Sequence, residues 1–170
     1  MSRAVLSIGS NIGDSLAHLQ GVVDGLQNWV VAVSPVYATA PWGGVDQQDF
    51  LNAIVVVDDP DTDALGWLRR GQELEVAADR VREQRWGPRT LDVDVVVCDG
   101  IRSDDPELTL PHPRAHERAF VLVPWLAVEP DATLAVAGTT VRVEDALAKL
   151  DVSERDGVRR TAQRLELRSL

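Results

Sequence analysis

The chain has one cysteine, Cys98, in 170 residues. An intramolecular disulfide is thereby excluded and a cysteine-held metal cluster disfavoured, which suits a reducing compartment. No apolar run approaches the roughly 18 residues of a membrane span, and no basic, apolar, small-residue leader opens the chain. The cytoplasm is the expected setting, with no membrane partner. Positive charge is also scarce: 17 Lys and Arg stand against 27 Asp and Glu, giving a net charge of -10 and a pI near 4.7. A surface of that sign repels phosphate backbones, so binding to nucleic acid or anionic membrane is disfavoured. The Gly9-Ser10-Asn11 turn is followed by no Lys-Ser or Lys-Thr, so a Walker-type phosphate loop is absent. Internal repeats, low-complexity tracts and linkers are missing too. With 45% hydrophobic residues the chain has enough apolar material for its own core. One domain over residues 1–170 is expected, working as a monomer, with residues 151–170 a charged, Arg-rich extension of no assignable role.

What stands out against this background is Arg80 to Val97, reading RVREQRWGPRTLDVDVVV. Four arginines and a Trp-Gly-Pro turn precede two aspartates and an apolar strand. Side chains alternate along a strand, so Asp92 and Asp94 share one face while Leu91, Val93, Val95 and Val97 take the other. Two carboxylates on one patch repel, and a hard divalent cation such as Mg²⁺ relieves them while keeping positions for water and phosphate. Arginine forks match phosphate oxygens, and the Gly-Pro turn delivers Arg89 and Trp86 to the strand's mouth. An Asp-x-Asp pair alone is more often a solvated or turn-forming element than a metal site. The consecutive order of arginine loop, turn and paired acids favours a metal-nucleotide site. In an acidic protein, a local basic cluster fits a small anion such as ATP better than a long polyanion.

Arg3 to Ile8 reads as a strand, followed by a turn and a helix capped by Asp14 or Ser15 with Leu16, Leu19, Val23, Leu26 and Val30 inward. Val31 to Thr39 and Phe50 to Val57 read as strands able to pair antiparallel. In the second, Asn52 shares a face with Phe50, Ile54 and Val56; an edge position, a bonded core amide and a reader of a heterocycle all remain open for it. A helix capped by Asp61 or Thr62 runs through Leu65, Leu68, Gln72 and Glu75 toward Ala78, with Trp67 and Leu74 also available for packing, and brings Gln72 and Glu75 to the border of the arginine loop. After the Leu91 to Val97 strand come a strand-like Leu108 to Leu110, a buried helix over Ala115 to Val128, a hairpin around Ala137-Gly138 and a short helix from Val143 to Leu150. His112 lies between two prolines with Arg114 and Arg118 near, a setting that favours phosphate contact over metal ligation.

Gly9-Ser10-Asn11, Thr39-Ala40-Pro41-Trp42-Gly43, Asp46-Gln47 with Phe50-Leu51-Asn52-Ala53, Arg85-Trp86-Gly87-Pro88-Arg89-Thr90-Leu91-Asp92-Val93-Asp94, and Pro111-His112-Pro113-Arg114 with Arg118-Ala119-Phe120-Val121-Leu122 together closely resemble the 6-hydroxymethyl-7,8-dihydropterin pyrophosphokinase family, in order over roughly residues 4 to 130. The resemblance implies an α+β fold with a ferredoxin-like βαββαβ core, its mostly antiparallel sheet covered by helices. It also implies transfer of pyrophosphate from ATP to the pterin hydroxymethyl oxygen, releasing AMP, in folate biosynthesis. By the same resemblance Asp92 and Asp94 hold two Mg²⁺ ions. Phe50 and Phe120 sandwich the pterin, and Asn52 with the backbone of Thr39, Ala40 and Trp42 reads its edge. Gln72, Glu75, Arg82, Arg85, Trp86, Arg89, His112 and Arg118 contact ATP, with Arg82 and Arg89 catalytic residues on a loop that closes over the site. Family members commonly carry Gly before that loop's first arginine and often Lys after the second; here Asp79 and Glu83 stand there, which bears on loop flexibility and phosphate charge.

Overall fold

A computed structural model of the chain describes residues 3–40, 48–79 and 90–167. Strand β1 (Arg3–Ser10) leads into helix α1 (Ser15–Gly25), then β2 (Val30–Val33), β3 (Tyr37–Thr39), β4 (Phe50–Asp58), α2 (Ala64–Asp79) and β5 (Asp92–Cys98). A small hairpin of β6 (Ser103–Asp105) and β7 (Leu108–Leu110) follows, then α3 (Ala119–Val128), a second hairpin of β8 (Thr133–Val136) and β9 (Thr139–Arg142), α4 (Val143–Ala148), α5 (Val152–Asp156) and β10 (Arg159–Arg160). The main sheet runs β10-β3-β4-β1-β5, with β2 beside the other half of β4. Every pairing in it is antiparallel. The unit β1-α1-β2 straddles β4 and the unit β4-α2-β5 straddles β1, which is the interleaved ferredoxin-like arrangement expected.

Alternation sorts each central strand between two cores. Ala4, Leu6 and Ile8 of β1, Ala53, Val55 and Val57 of β4, and Val93 and Val95 of β5 pack with Leu19, Val22 and Val23 of α1 and Trp67 of α2. The opposite face puts Val5, Ile54, Val56 and Val96 against Val121, Leu122 and Trp125 of α3 and Val143 of α4. Each such side chain removed from water contributes about 1.5–3 kcal/mol, so three layers close around two apolar seams.

Several expectations shift in detail. Asp14 caps α1 by accepting from the Ala17 amide at 3.1 Å, and the helix ends at Gly25, which leaves Val30 in β2. The Val31 to Thr39 strand is two pieces, parted where the Ser34 amide donates to the Ile54 carbonyl and the Ser34 hydroxyl accepts from the Ile54 amide, ahead of Pro35. Asp63 rather than Asp61 or Thr62 caps α2, accepting from the Gly66 amide at 2.7 Å. That start rotates the buried stripe to Ala64, Trp67 and Gly71, and Leu65 is exposed. The β5 register slips opposite Val5 and Leu6, so Val97 turns to the face of Val96 instead of joining Val95. Residues 115–117 form a 3-10 turn before α3 rather than part of it.

Candidate active site

On β1, β4 and β5 the face turned toward α3 changes character along its length. It reads Val5, Ser7, Gly9 on β1, Val56, Ile54, Asn52 on β4, and Val96, Asp94, Asp92 on β5. The apolar half lies under α3 and α4; the polar half runs on toward Asp92, where β5 begins. In register, Ser7 lies between Ile54 and Asp94, and Gly9 lies between Asn52 and Asp92. Asn52 in turn faces Tyr37 of β3. A single row therefore crosses four strands, from Tyr37 through Asn52 and Gly9 to Asp92. The two aspartates share that face as strand alternation requires, about 7 Å of strand rise apart.

Gly9 is what keeps the row open. A Cβ there would sit 3.1 Å from Asn52 Oδ1. Asn52 itself is buried, and its Nδ2 donates to Thr39 Oγ1 at 3.0 Å, so the amide is oriented with Oδ1 toward Gly9. Of the three readings open for Asn52, the edge position is removed, because β3 and β1 flank β4 on both sides. Phe50 pairs with Thr39 across the β3–β4 ladder and shares the Asn52 face. Phe120, in the first turn of α3, borders the apolar seam on that same side of the sheet, with the Arg118 guanidinium 5.6 Å from its ring centroid.

His112 follows the cis peptide between Leu110 and Pro111 and is tied to β5 by its amide, which donates to the Val96 carbonyl at 2.8 Å. Its Nδ1 accepts from the Arg114 amide at 3.3 Å, which leaves the proton on Nε2. Burial holds the imidazole below its ordinary range; Asp94 pulls it up, while Arg118 and Arg114 push it down. The ring is thus a neutral donor within electrostatic reach of Asp94.

On the other side of β5, Glu75 Oε2 accepts from the Val93 amide at 3.0 Å, between the two aspartates in sequence. Because β5 is the sheet's outer strand, this carboxylate covers an edge donor and fixes the strand that carries the acids. Gln72 Oε1 accepts from Arg69 at 2.9 Å, and Arg69 pairs with Glu107 of the β6–β7 turn. Gly71 allows this approach, since a Cβ there would lie 3.0 Å from Val93 Cγ1. Trp42, Arg82, Arg85, Trp86 and Arg89 lie outside the described residues, as does Glu83; Thr39 and Ala40 close β3 ahead of the first gap.

Three supports escaped the sequence reading. Ser7 sits beside Asp94; the Ser10 hydroxyl donates to the Thr90 carbonyl; Gln48 Nε2 donates to Ser15 Oγ at 2.8 Å. The signal for Ser7 was present, because one face of β1 shrinks in the order Val5, Ser7, Gly9.

The carboxylate pair is a donor set that fits Mg²⁺: hard oxygens gathered on one strand face. Among the described residues no group of three or more His, Cys, Asp or Glu forms a closed metal cage. Fold and site together define the class, an α+β protein of ferredoxin-like topology whose half-covered sheet face carries acids, an oriented amide and aromatic rings.

Residues 5–130 match the model of the 7,8-dihydro-6-hydroxymethylpterin-pyrophosphokinase (HPPK) family. The chain is 58% identical to the 2-amino-4-hydroxy-6-hydroxymethyldihydropteridine pyrophosphokinase of Mycobacterium leprae, over 99% of this chain and 93% of that one. It is 52% identical to the enzyme of that name from Mycobacterium tuberculosis, covering 94% and 89%, and 36% identical to that of Pseudomonas aeruginosa, covering 79% and 85%. Among solved structures, a Plasmodium falciparum HPPK-DHPS superposes with a TM-score of 0.69 at 13% identity, over 94% of this chain and 46% of the other; it shares the fold, and this chain spans less than half its length. The chain belongs to the HPPK family. Its activity is the expected one, transfer of pyrophosphate from ATP to the pterin in folate biosynthesis.

Proposed function

We propose that the polar half of the sheet face is where this transfer takes place, and that the single row Tyr37–Asn52–Gly9–Asp92 carries the assignment. The row joins an oriented amide at one end to a carboxylate at the other, across a floor cleared by glycine. Phe50 and Phe120 clasp the pterin ring, and Asn52 Oδ1 accepts from its edge, with Thr39, Ala40 and Trp42 lending main-chain contacts. The ring is thereby set with its hydroxymethyl arm toward the acids.

Asp92 and Asp94 hold Mg²⁺, two ions in this reading, and the metal supplies neutralisation of phosphate charge and alignment of the donor. The chain's own groups do the rest. Neutral His112 donates from Nε2 to a phosphate oxygen, Arg118 adds charge beside it, and Glu75 keeps β5 in place. Gln72 with Arg82, Arg85, Trp86 and Arg89 completes the ATP contacts. The pterin hydroxyl oxygen bonds to the β-phosphorus as the bond to the AMP oxygen breaks, and the hydroxyl proton is lost to solvent. Positioning and charge compensation suffice, with no covalent enzyme intermediate.

Among the described residues no helix is long and apolar enough to cross a membrane; action in the cytoplasm, as a monomer with no nucleic-acid partner, is part of the same proposal. The test is AMP formation with purified protein. It is expected to require ATP, the reduced pterin and Mg²⁺ together. ATP loss independent of pterin would overturn the reading.

A further inference from the structure

The residues after α5 return to the sheet at the substrate end. Arg159 and Arg160 pair antiparallel with Ala38 and Tyr37, so β10 covers what would otherwise be an edge strand of three residues, β3. The Thr161 amide and hydroxyl both donate to the Val36 carbonyl, at 3.0 and 2.8 Å. Farther on, Leu165 packs against the α1–α2 core, and Glu166 exchanges two main-chain bonds with the Gln20 side chain of α1, at 2.7 and 2.8 Å. Arg159 Nη2 also lies 2.6 Å from Asp49 Oδ2, the residue before Phe50. One residue of the tail thus holds both strands of the β3–β4 corner, Ala38 through its backbone and Asp49 through its guanidinium.

We propose that residues 159–166 form a positioning strap for the pterin slot, with Thr161 and Arg159 as its positioning residues. The inference rests on the slot assigned above. Thr39 pairs with Phe50 and orients Asn52; Thr39 and Phe50 each adjoin a point the strap holds, and Asn52 lies opposite Tyr37, which the strap also pairs. A three-residue strand paired on one side only frays readily, because edge strands bury little and leave their main-chain groups in water. Pairing its second side fixes Thr39, and with it the Asn52 amide and the Phe50 ring. The strap's bonds go to Val36, Tyr37, Ala38, Asp49 and Gln20, at the β3–β4 corner and on α1, so its influence falls on the pterin and not on ATP.

The full-length enzyme tests this through steady-state constants for each substrate. Thr161→Pro removes both donors to Val36. Arg159→Ala removes only an ion pair whose side chains are 61% and 44% exposed, which contributes little to global stability. Both are expected to raise the pterin KM, Thr161→Pro by about tenfold and Arg159→Ala by about threefold, with the ATP KM within about twofold of wild type, since loss of positioning acts where the geometry is held. The exchanged pair Asp49→Arg with Arg159→Asp restores the pterin KM toward wild type. Should Thr161→Pro fail to fold, the Arg159 variants decide alone. Asn52→Ala runs alongside. If it raises the pterin KM and the strap variants do not, or if they raise both KM values alike, the strap inference is overturned and the slot stands. If Asn52→Ala also leaves the pterin KM unchanged, the slot reading itself falls and takes the strap with it.

Discussion

The two ends of the sheet use their charge in different ways. At the end where β4 runs into α2, Arg70 lies 3.8 Å above the Trp29 ring and 5.4 Å from Trp67, with Asp59 at 3.3 Å and the Thr62 hydroxyl at 3.0 Å. Asp59 accepts from Thr62 and from the Asp61 amide as well. A surface cavity of about 450 Å³ opens there, larger than the one of about 180 Å³ beside His112. Volume is a poor guide here, because Arg70, which lines the larger cavity, is already answered by Asp59. At the other end Asp92 and Asp94 stand on one face beside a neutral imidazole and a glycine floor. A folded chain that spends its charges on itself gains stability; two carboxylates gathered on one strand face mark a place where a cation binds well.

The sharpest way to break this comparison is to remove one acid from each end. Asp94→Ala is expected to lower turnover by about a thousandfold or more, since it strips charge compensation from the transferring group. Pterin binding, followed by fluorescence titration, is expected to survive within a few fold. Asp59→Ala is expected to leave kcat and both KM values within about twofold and to lower thermal stability instead, since it unpairs Arg70 and Thr62. Equal kinetic damage from both would erase the distinction.

Next in size is the packing that holds the closed end together. Trp67 is fully buried, edge-on to Trp29 with centroids 6.4 Å apart and an interplanar angle of 76°. Trp67→Ala is expected to cost about 3–5 kcal/mol in denaturant unfolding. Kinetic constants of the folded fraction are expected to hold, because the ring packs in the α1–α2 core, on the sheet face opposite Asp92 and Asp94. A loss of pterin affinity at full folding would show that the two ends are coupled through the core.

Glycines separate the ends more finely. Gly9→Ala puts a methyl 3.1 Å from Asn52 Oδ1, whereas Gly21→Ala on α1 meets nothing within 4 Å. The first is expected to raise the pterin KM by about tenfold through overpacking of the floor. The second is expected to stabilise the protein by about 0.5–1 kcal/mol through helix propensity, with no kinetic change. Opposite signs from the same added methyl would mark Gly9 as part of the site.

How much of this was legible beforehand follows from what alternation and motif can carry. Strand alternation placed Asp92 with Asp94 and Phe50 with Asn52 correctly, because both pairs lie on regular stretches of β5 and β4. It failed at Val97, where a bulge opposite Val5 and Leu6 adds a residue that no local pattern announces. The α2 stripe was misphased because Leu65 is apolar but exposed, while Gly71, which carries no hydrophobic signal, is the point of closest approach to Val93. The gradient from Val5 through Ser7 to Gly9 was readable on β1, yet its meaning needed the register that sets it beside Asn52 and Asp92. Nothing in residues 159–166 predicted a return to β3, since two arginines and a threonine have no strand pattern until the partner strand is known.

The smallest expected effect is in acid, and it belongs to the closed end alone. Asp59 is held below the usual carboxylate value of 3.8, first by the Thr62 hydroxyl, then by the Asp61 amide, with a further contribution from Arg70 against the opposing cost of burial. A carboxyl with a lowered folded value binds its proton less readily folded than unfolded. Its stabilisation is therefore fully present above about pH 3.8 and is lost as pH falls through the depressed folded value. Asp59→Asn removes that difference while keeping the side chain's shape. The expected outcome is that the gap in melting temperature between wild type and Asp59→Asn, constant from pH 7 to about pH 5, narrows below pH 3.8. A gap that widened in acid would mean that Asp59 is protonated more easily in the folded protein, and the picture of a self-compensated cluster would not survive it.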